Sequence, residues 1–151
     1  MDSITLTLCS KLKSVTNREF LMYLIDDVLE GNIQNKQGAV EKLTSYLTGI
    51  GVNDFDISDI SLQNIKQALL AVEVAKVVLP YIPKTELLER LHAAVSPSDF
   101  PILLEVSVDE GLKGGFVVYK AGKVVDMSFK TKVEKLFKQD SFRMKVLQIL
   151  Q

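Results

Sequence analysis

Residues 109–136 read DEGLKGGFVVYKAGKVVDMSFKTKVEKL, and the second half of the chain is organised around this stretch. It contains two short valine-rich runs, 116–119 and 123–126. The turn dipeptide Ala121-Gly122 lies between them, and two strand-like runs joined by so short a turn are typical of a β-hairpin. We therefore predict an antiparallel pair of strands at this point.

The residues on either side of the hairpin carry further local signals. Gly114-Gly115, directly before the first run, indicates a bulge or a tight strand entry where a side chain would collide with neighbouring backbone. Ser128, after the second run, is expected to cap a helix that begins near Phe129. The spacing of apolar residues places one face of this helix against a core, and its members are Phe129, Val133, Leu136 and Phe137.

The stretch before the hairpin completes the pattern of a small α/β module. The valine-rich run 73–79 is followed by Pro80, so we predict a strand there, with a continuing helix over 68–79 as the alternative. Thr85 is expected to cap the next helix. Apolar residues then recur at every second position over 102–108, which predicts another strand.

The N-terminal half shows helical periodicity instead. Apolar residues recur at three- and four-residue spacing after a cap at Thr16 or Asn17, over about 38–48, and again after the capping residue Ser58. Residues 4–14 fit either a first helix or a short extended start. These apolar faces are too wide to remain in water, so the helices are expected to pack together as a bundle.

We therefore predict an α+β protein built from two parts. A small helical bundle over 1–71 precedes an α/β module over 72–151, in the order strand, helix, strand, hairpin, helix. The tail 140–151 has Phe142 and Val146 on one side of a short amphipathic helix, which either folds back on the module or receives a partner helix.

Taken in order, residues 109–136 resemble the C-terminal signature of the delta subunit of F-type ATP synthase, whose mitochondrial counterpart is the oligomycin-sensitivity-conferring protein. The family pattern runs without a gap from an acidic residue through Gly-Gly, an apolar run, a turn and Lys-Val-apolar-Asp to Ser and an amphipathic helix. The positions in register are Asp109, Leu112, Gly114, Gly115, Phe116, Val117, Lys123, Val124, Asp126, Ser128, Glu134 and Leu136. This strong match covers about a fifth of the chain, and about half with the flanking strand and helix.

Three features depart from the family pattern. Lys113 stands where an apolar residue is usual, and Met127 stands where glycine is usual. Met127 predicts a backbone that does not need positive φ, or that adopts it at some cost. The helical domain of the family usually has six helices, whereas residues 1–71 have room for three or four, so the chain resembles a shortened member.

The resemblance implies a non-catalytic stator subunit of the peripheral stalk, which links the catalytic head to the b-subunit stalk so that proton-driven rotation is coupled to ATP synthesis. In the family, the bundle binds the N-terminal segments of the alpha subunits and the C-terminal domain binds the C-terminal end of the b subunit. The complex is at the cytoplasmic face of the cell membrane, and the subunit is peripheral to that membrane. The implied partner-binding residues are Phe20, Leu24 and Val28 in the bundle, and Lys113, Gly114, Gly115, Phe116, Phe142 and Val146 in the module.

The residues favour no catalytic, cofactor or metal site. His92, the single histidine, is expected on the outer side of its helix, at the surface and with no second ligand type nearby. Gly114-Gly115 lacks the spacing of phosphate-binding glycine loops and leads into a strand. The carboxylates near the hairpin are expected to be solvated or to cap backbone amides, and they are Asp109, Glu110 and Asp126.

Composition sets outer bounds on the protein class. The chain has 151 residues, of which 47% are hydrophobic and 25% charged, as in a globular protein. Its one cysteine, Cys9, excludes an internal disulfide. No apolar run reaches the roughly 18 residues that a membrane-spanning helix needs. Asp2 and the absence of a basic region after it make a secretory signal unexpected.

Charge is divided unevenly along the chain. Residues 1–112 hold 9 Lys and Arg against 16 Asp and Glu, a net charge of −7. Residues 113–151 hold 9 against 3, a net charge of +6. Either these are ordinary solvated faces, or the basic third docks on an acidic partner.

Two other functions compete with the stator assignment. The E subunit of vacuolar or archaeal-type ATPases also has a Gly-Gly strand, a turn and a closing helix, but glycines such as Gly31 and Gly49 argue against its long N-terminal stalk helix. Nucleic-acid binding is the other, because seven lysines between 113 and 138 are interleaved with aromatic residues. We expect no nucleic acid as partner, since these aromatics fall at positions that should face a core and the pI is about 5.9.

Overall fold

A computed structural model describes residues 3–31, 33–96 and 101–138. Within them the protein is a mixed α+β structure, with helices in the N-terminal part and strands later. The described elements are α1 (Ser3–Leu12), α2 (Val15–Glu30), α3 (Ile33–Gly49), α4 (Asp59–Leu70), β1 (Glu73–Leu79), α5 (Thr85–Val95), β2 (Ile102–Val108), a 3-10 turn (Glu110–Leu112), β3 (Val117–Lys120), β4 (Lys123–Asp126) and α6 (Phe129–Phe137). The predicted class and the order strand, helix, strand, hairpin, helix are confirmed.

Serine residues begin three of the described helices. Ser14, Ser58 and Ser128 have extended backbone, and each side-chain oxygen accepts a hydrogen bond from the backbone N–H three residues later. The predicted caps Ser58 and Ser128 are confirmed, but the prediction of Thr16 or Asn17 for α2 is wrong. Asn17 lies in the first turn of α2, where its side-chain amide donates to the carbonyl of Leu12 at 2.7 Å.

The lengths of the first and third helices differ from what apolar spacing suggests. The sequence of residues 4–14 fits either a helix or a short extended segment. The structure shows a helix there, Ser3–Leu12. The third helix begins at Ile33, five residues before the predicted Gly38. Its first turns are polar and carry no apolar period, and Lys36 from this stretch pairs with Asp59 at the start of α4 (Nζ–Oδ1 3.1 Å).

The first four helices form the predicted bundle. α2 packs against α3 and α4, and α1 packs against α2 and α4. The fully buried side chains of this core include Leu8, Leu12, Leu21, Ile25, Val28, Leu43, Leu62, Leu69 and Leu103. Burial of each such aliphatic side chain contributes roughly 1.5–3 kcal/mol. The apolar periodicity of the N-terminal half is therefore used for packing.

The four described strands form one mixed sheet in the order β2-β1-β3-β4. β1 is a strand, as predicted, and not a continuation of α4; Ala75, Val77 and Leu79 are buried at alternate positions. β3 pairs antiparallel with both β1 and β4. β4 is consequently an edge strand of the sheet.

The chain divides into two compact units that do not follow sequence order. One contains the residues up to Val74 together with Glu86–Glu105. The other contains Ala75–Thr85 and the described residues from Val106 onward. α5 and the first part of β2 therefore belong to the same unit as the helical bundle. The functional division at residue 72, with head binding before it and stalk binding after it, stays a prediction.

Candidate partner-binding sites

The β3–β4 hairpin has the tight turn that the sequence predicts. Val117 faces Asp126 and Lys120 faces Lys123, so the loop has two residues. Both loop residues have positive φ, 47° at Ala121 and 74° at Gly122. Two positive φ angles in succession are typical of the type I′ turn, whose twist matches that of paired strands.

Gly114 and Gly115 join this hairpin to the start of α6. A Cβ atom on Gly115, whose φ is +77°, would lie 2.2 Å from the carbonyl oxygen of Met127 and 2.9 Å from the Cα of Ser128. The carbonyl of Gly114 accepts the N–H of Phe129 at 2.8 Å. The predicted tight entry is confirmed, because the backbone of Met127 and Ser128, which links β4 to α6, occupies the space that a side chain would need.

Asp126 stabilises the start of α6 through its two carboxylate oxygens. Oδ1 accepts the backbone N–H of Ser128 at 2.8 Å, and Oδ2 accepts the hydroxyl of Thr131 at 2.6 Å. The hydrogen bond from Thr131, then those from the side chain and backbone of Ser128, lower the pKa of Asp126 to about 2. Ser128 itself is buried. The expectation that carboxylates near the hairpin cap backbone amides is confirmed for Asp126.

The two residues that depart from the family signature have separate structural explanations. Lys113 has φ 59° and closes the 3-10 turn, where its N–H donates to the carbonyl of Glu110 at 3.3 Å. Met127 is not among the residues with positive φ, as its side chain predicts. Its N–H donates to the carbonyl of Phe116 at 2.9 Å. Neither Lys113 nor Met127 therefore interrupts the connection between hairpin and helix.

The sequence-predicted stalk residues lie around this connection, as far as the structure describes them. Lys113 is exposed, Gly114 and Phe116 are half-buried, and all three are within four positions of each other in the chain. Phe142 and Val146 lie outside the described residues. Gly114 lies against Phe129 and Gly115 against Met127, two residues that are not among the predicted contact residues.

The surface beside this connection is both basic and apolar. Phe129 is 59% exposed and Leu136 44% exposed, on the face of α6 that the sequence assigned to a core. Tyr119 on β3 is 44% exposed. The prediction that the aromatics of the basic stretch face a core is thus wrong for Phe129 and Tyr119. The exposed lysines of the same stretch are Lys113, Lys123, Lys130, Lys132, Lys135 and Lys138.

A second candidate surface lies between α2 and α3. Phe20 is half exposed, and its ring meets that of Tyr46 edge to face with centroids 5.1 Å apart. These two rings and the buried Leu24 line a shallow groove of about 640 Å³, together with Gly38, Glu41, Lys42 and Ser45. Val28 is fully buried in the bundle core, so its side chain does not reach this groove.

Two residues of this groove, Tyr46 and Gly38, are not among the partner-binding residues that the sequence predicts. Tyr46 falls on the apolar face of α3, and that spacing predicts packing between helices. Gly38 lies inside a helix, where glycine costs stability, and a Cβ at this position would meet nothing within 4 Å. Because no neighbour requires a glycine at position 38, this residue in the interior of a helix indicates an open surface beside α3.

His92 and Cys9 are the two reactive residue types that occur once in the chain. His92 is half-buried, and its Nε2 lies 2.9 Å from the carbonyl oxygen of Ile102, so the prediction of a surface histidine is wrong. Cys9 is fully buried, and burial raises the pKa of its thiol to about 11, against the opposing effect of Arg18. A thiol with so high a pKa is a poor nucleophile at neutral pH.

Neither a metal cluster nor a membrane-spanning helix is found in the described part of the chain. No three His, Cys, Asp or Glu residues there are grouped so that they could hold an ion. No described helix combines the length and apolar character needed to cross a bilayer. In comparisons with known proteins, no family model matches this chain, and no curated protein matches it either.

Proposed function

We propose that this chain is a non-catalytic stator subunit of an F-type ATP synthase, which links the catalytic head to the b-subunit stalk. Its partners are the N-terminal segments of the alpha subunits and the C-terminal end of the b subunit. As part of that complex it lies at the cytoplasmic face of the cell membrane. Its task is mechanical, since it opposes rotation of the head while protons drive the rotor.

The observation that carries this proposal is the connection between Gly115 and the start of α6. The residues that resemble the delta-subunit signature are those that this connection requires: a glycine where a Cβ would lie 2.2 Å from the carbonyl oxygen of Met127, Asp126 as acceptor, and Ser128 as cap. The signature residues thus have a structural role in this chain, which supports a local structure shared with that family; the stator function is proposed from that likeness.

The two candidate surfaces also suit an adaptor between two partners. The groove offers the half-exposed ring of Phe20 and the partly buried ring of Tyr46 to an amphipathic helix. α6 offers Phe129 and Leu136 beside exposed lysines. The E-subunit alternative is disfavoured, because the described N-terminal half consists of four separate helices and not of one long stalk helix.

A binding titration tests the stalk half of the proposal. The full chain is titrated at physiological salt with a peptide from the C-terminal end of the b subunit of the same organism. The full chain is needed because Leu103, late in the sequence, is part of the bundle core. We expect Leu136→Ser to weaken binding by about tenfold or more, as removal of a contact of about 1.4 kcal/mol does.

Ile60→Ser is the matched control, since Ile60 on α4 is an even more exposed apolar residue of the other unit. Its binding curve is expected to overlay that of the unmodified chain. Absence of peptide binding to the unmodified chain contradicts the stalk assignment. Equal losses in both variants contradict the placement of the site on α6.

A parallel titration with an N-terminal peptide of the alpha subunit tests the head half. Phe20→Ser removes an aromatic ring from the groove, whereas Tyr23→Ser removes an exposed ring from the same helix outside it. We expect only the first substitution to weaken binding. A loss in Tyr23→Ser as large as that in Phe20→Ser places the peptide elsewhere.

Nucleic-acid binding is a second candidate, because the structure exposes two aromatic rings in the basic stretch. Tyr119 and Phe129 are accessible for stacking with bases, and six exposed lysines surround them in sequence. A random single-stranded oligonucleotide is the test. Binding with a log–log salt slope of several units favours this function, whereas peptide binding without oligonucleotide capture favours the stator.

A further inference from the structure

The two edges of the sheet differ in the described part of the chain. In the order β2-β1-β3-β4, the outer strands are β2 and β4. At the β2 edge, Ser14 forms a parallel bridge with Leu104, whose N–H donates to the carbonyl of Lys13 at 3.0 Å. Beyond β4, the described ranges contain no further strand. The outer backbone groups of β4 therefore have no strand partner among the described residues.

The register of the hairpin identifies which backbone groups of β4 face outward. At the open end of the hairpin, the N–H of Met127 donates to the carbonyl of Phe116 at 2.9 Å. Hydrogen-bonded and non-hydrogen-bonded pairs alternate along an antiparallel ladder. Val125 is therefore bonded to β3, whereas Val124 and Asp126 direct their N–H and C=O groups away from it.

The side chains of β4 leave the middle of this edge unprotected. Edge strands are commonly blunted by a charge, a proline or a bulge. The two central residues of β4, Val124 and Val125, are each more than half exposed and lie on opposite faces of the sheet. The charged residues of the strand stand only at its ends, at Lys123 and Asp126. The edge therefore offers an apolar centre on both faces.

β4 is fixed in its extended form at both ends. The two-residue turn, with positive φ at Ala121 and Gly122, fixes its start. The close approach of Gly115 to the backbone of Met127 fixes its end. A strand that is already ordered loses little conformational freedom on binding, so it suits the addition of an extended segment.

The charges around β4 indicate which kind of segment suits it. Lys120 and Lys123 face each other in the register, and like charges directly opposite each other destabilise a strand pair. Residues 113–138 hold seven lysines against two Asp and Glu, a net charge of +5. An acidic segment relieves this repulsion between like charges, whereas a basic segment adds to it.

A second copy of the chain is a poor occupant of the same edge. Antiparallel pairing about a twofold axis normal to the sheet keeps each side chain on its own face. The face of Lys123 contains Val125 but not Asp126, so the lysine of one copy does not meet the aspartate of the other. The two basic regions would also repel each other. The charges therefore favour a different, acidic partner.

We propose that β4 is a docking edge for an extended acidic segment of a partner protein, which adds to the sheet beside β4. The backbone of this segment pairs with the outward groups of Val124 and Asp126. Its apolar residues lie beside Val124 and Val125, and an acidic residue lies near Lys123. This mode of binding differs from the docking of a helix on α6, and the inference does not depend on the stator function.

Hydrogen exchange on the full chain tests whether the edge is open. After correction for intrinsic rates, the amides of Val124 and Asp126 are expected to exchange at least about tenfold faster than those of Val125 and Met127, which are bonded to β3. Protection of the outward amides in the free chain overturns the proposal. If that protection falls on dilution, a second copy covers the edge; if it does not, the chain itself covers it.

A peptide titration at physiological salt tests the occupant. The probe is a capped peptide, Glu-Val-Thr-Val-Thr-Val-Glu, and its counterpart has lysine in place of both glutamates. The acidic peptide is expected to slow exchange at Val124 and Asp126 by about tenfold or more, and the lysine peptide to do so less. No added protection with the acidic peptide, or equal protection with both peptides, overturns the proposal.

A proline substitution tests the pairing of backbone groups. Val124→Pro removes an outward N–H and leaves the bonds between β4 and β3 in place. Binding of the acidic peptide is expected to weaken by about tenfold or more, while the Val125 amide keeps its protection. Unchanged binding in a variant whose Val125 amide remains protected overturns strand addition.

Charge reversal tests the preference for an acidic segment without removing any backbone donor. Lys123→Glu is expected to weaken binding of the acidic peptide by about tenfold and to strengthen binding of the lysine peptide. Lys84→Glu is the matched control, because this exposed lysine follows β1 at the end of the strands opposite to Lys123. Its curves are expected to overlay those of the unmodified chain. Equal effects of the two charge reversals overturn the proposal.

Discussion

At Gly115, a hydrogen occupies the position where any other residue would place a carbon 2.2 Å from the carbonyl oxygen of Met127. The φ of +77° adds a second restriction, since residues with a Cβ adopt it at a cost. The obstacle is backbone, which cannot rotate away as a flexible side chain would. The connection between hairpin and helix must therefore distort if this glycine is replaced.

Gly115→Ala is expected to lower the free energy of unfolding by about 2–4 kcal/mol, from strain in φ together with overpacking. Urea denaturation followed by circular dichroism measures it. Gly38→Ala is the control, because Gly38 is inside α3 and a Cβ there meets nothing within 4 Å. It should raise the free energy of unfolding by up to about 1 kcal/mol. A small effect at Gly115 would contradict the described packing.

The β3–β4 turn places an alanine, Ala121, at a position with positive φ, a conformation that asparagine and glycine adopt more easily. Ala121 has φ 47°, where asparagine is favoured at the first position of a type I′ turn. Ala121→Asn is expected to stabilise the protein by about 0.5–1 kcal/mol. The same denaturation experiment checks it, and a destabilised variant would mean that the turn is of another type.

At the scale of elements, α6 owes its first turn to groups that precede it. Asp126 and Ser128 accept hydrogen bonds from the first residues, so the helix start depends on an ionised carboxylate. The folded pKa of Asp126 is about 2, below the ordinary value of 3.8. The stabilising contribution is therefore present above pH 3.8 and is lost as the pH falls from there towards 2.

Asp126→Asn is expected to lower the thermal midpoint at pH 6. The difference in thermal midpoint between this variant and the unmodified chain is expected to shrink as the pH approaches 2. The amide oxygen still accepts one hydrogen bond, but its NH₂ group does not accept the hydroxyl of Thr131. Thermal melts between pH 2 and 6 check this. A constant difference across that range would show that the charge of Asp126 is not what holds α6.

At the scale of the whole molecule, the core of the helical bundle includes a residue from the α/β half of the sequence. Leu103 on β2 is fully buried together with Leu43 and Leu62 of the bundle. It lies in the unit that contains the residues up to Val74 and Glu86–Glu105. The stability of the bundle should therefore depend on β2.

Leu103→Ala is expected to cost about 2–5 kcal/mol of unfolding free energy, as large-to-small substitutions in a core do. Hydrogen exchange should show lost protection in α2 and α3 as well as in β2. Ile60→Ala is the control, since Ile60 is 75% exposed, and its cost is expected to stay within about 0.5 kcal/mol. Protection lost in β2 alone would contradict a shared core.

The sequence by itself determined the helices and strands that form because of residues within or next to them. The period of apolar residues predicts α2 and α4, and a two-residue turn predicts the β3–β4 hairpin. The need for glycine at Gly115 and the cap at Ser128 follow from the residues beside them. The polar start of α3 and the cap at Ser14 were missed, because polar helical turns show no period and several adjacent residues are suitable caps.

Only the tertiary structure decided what the residues of these elements contact. Phe129 and Tyr119 have the spacing of core residues yet are exposed, because apolar periodicity identifies a face but not whether another element covers it. Phe20 and Tyr46 form a groove only because α2 and α3 lie side by side. The position of His92 against Ile102 likewise depends on how α5 packs on β2. Contacts between residues that are distant in sequence set this packing, and local sequence does not.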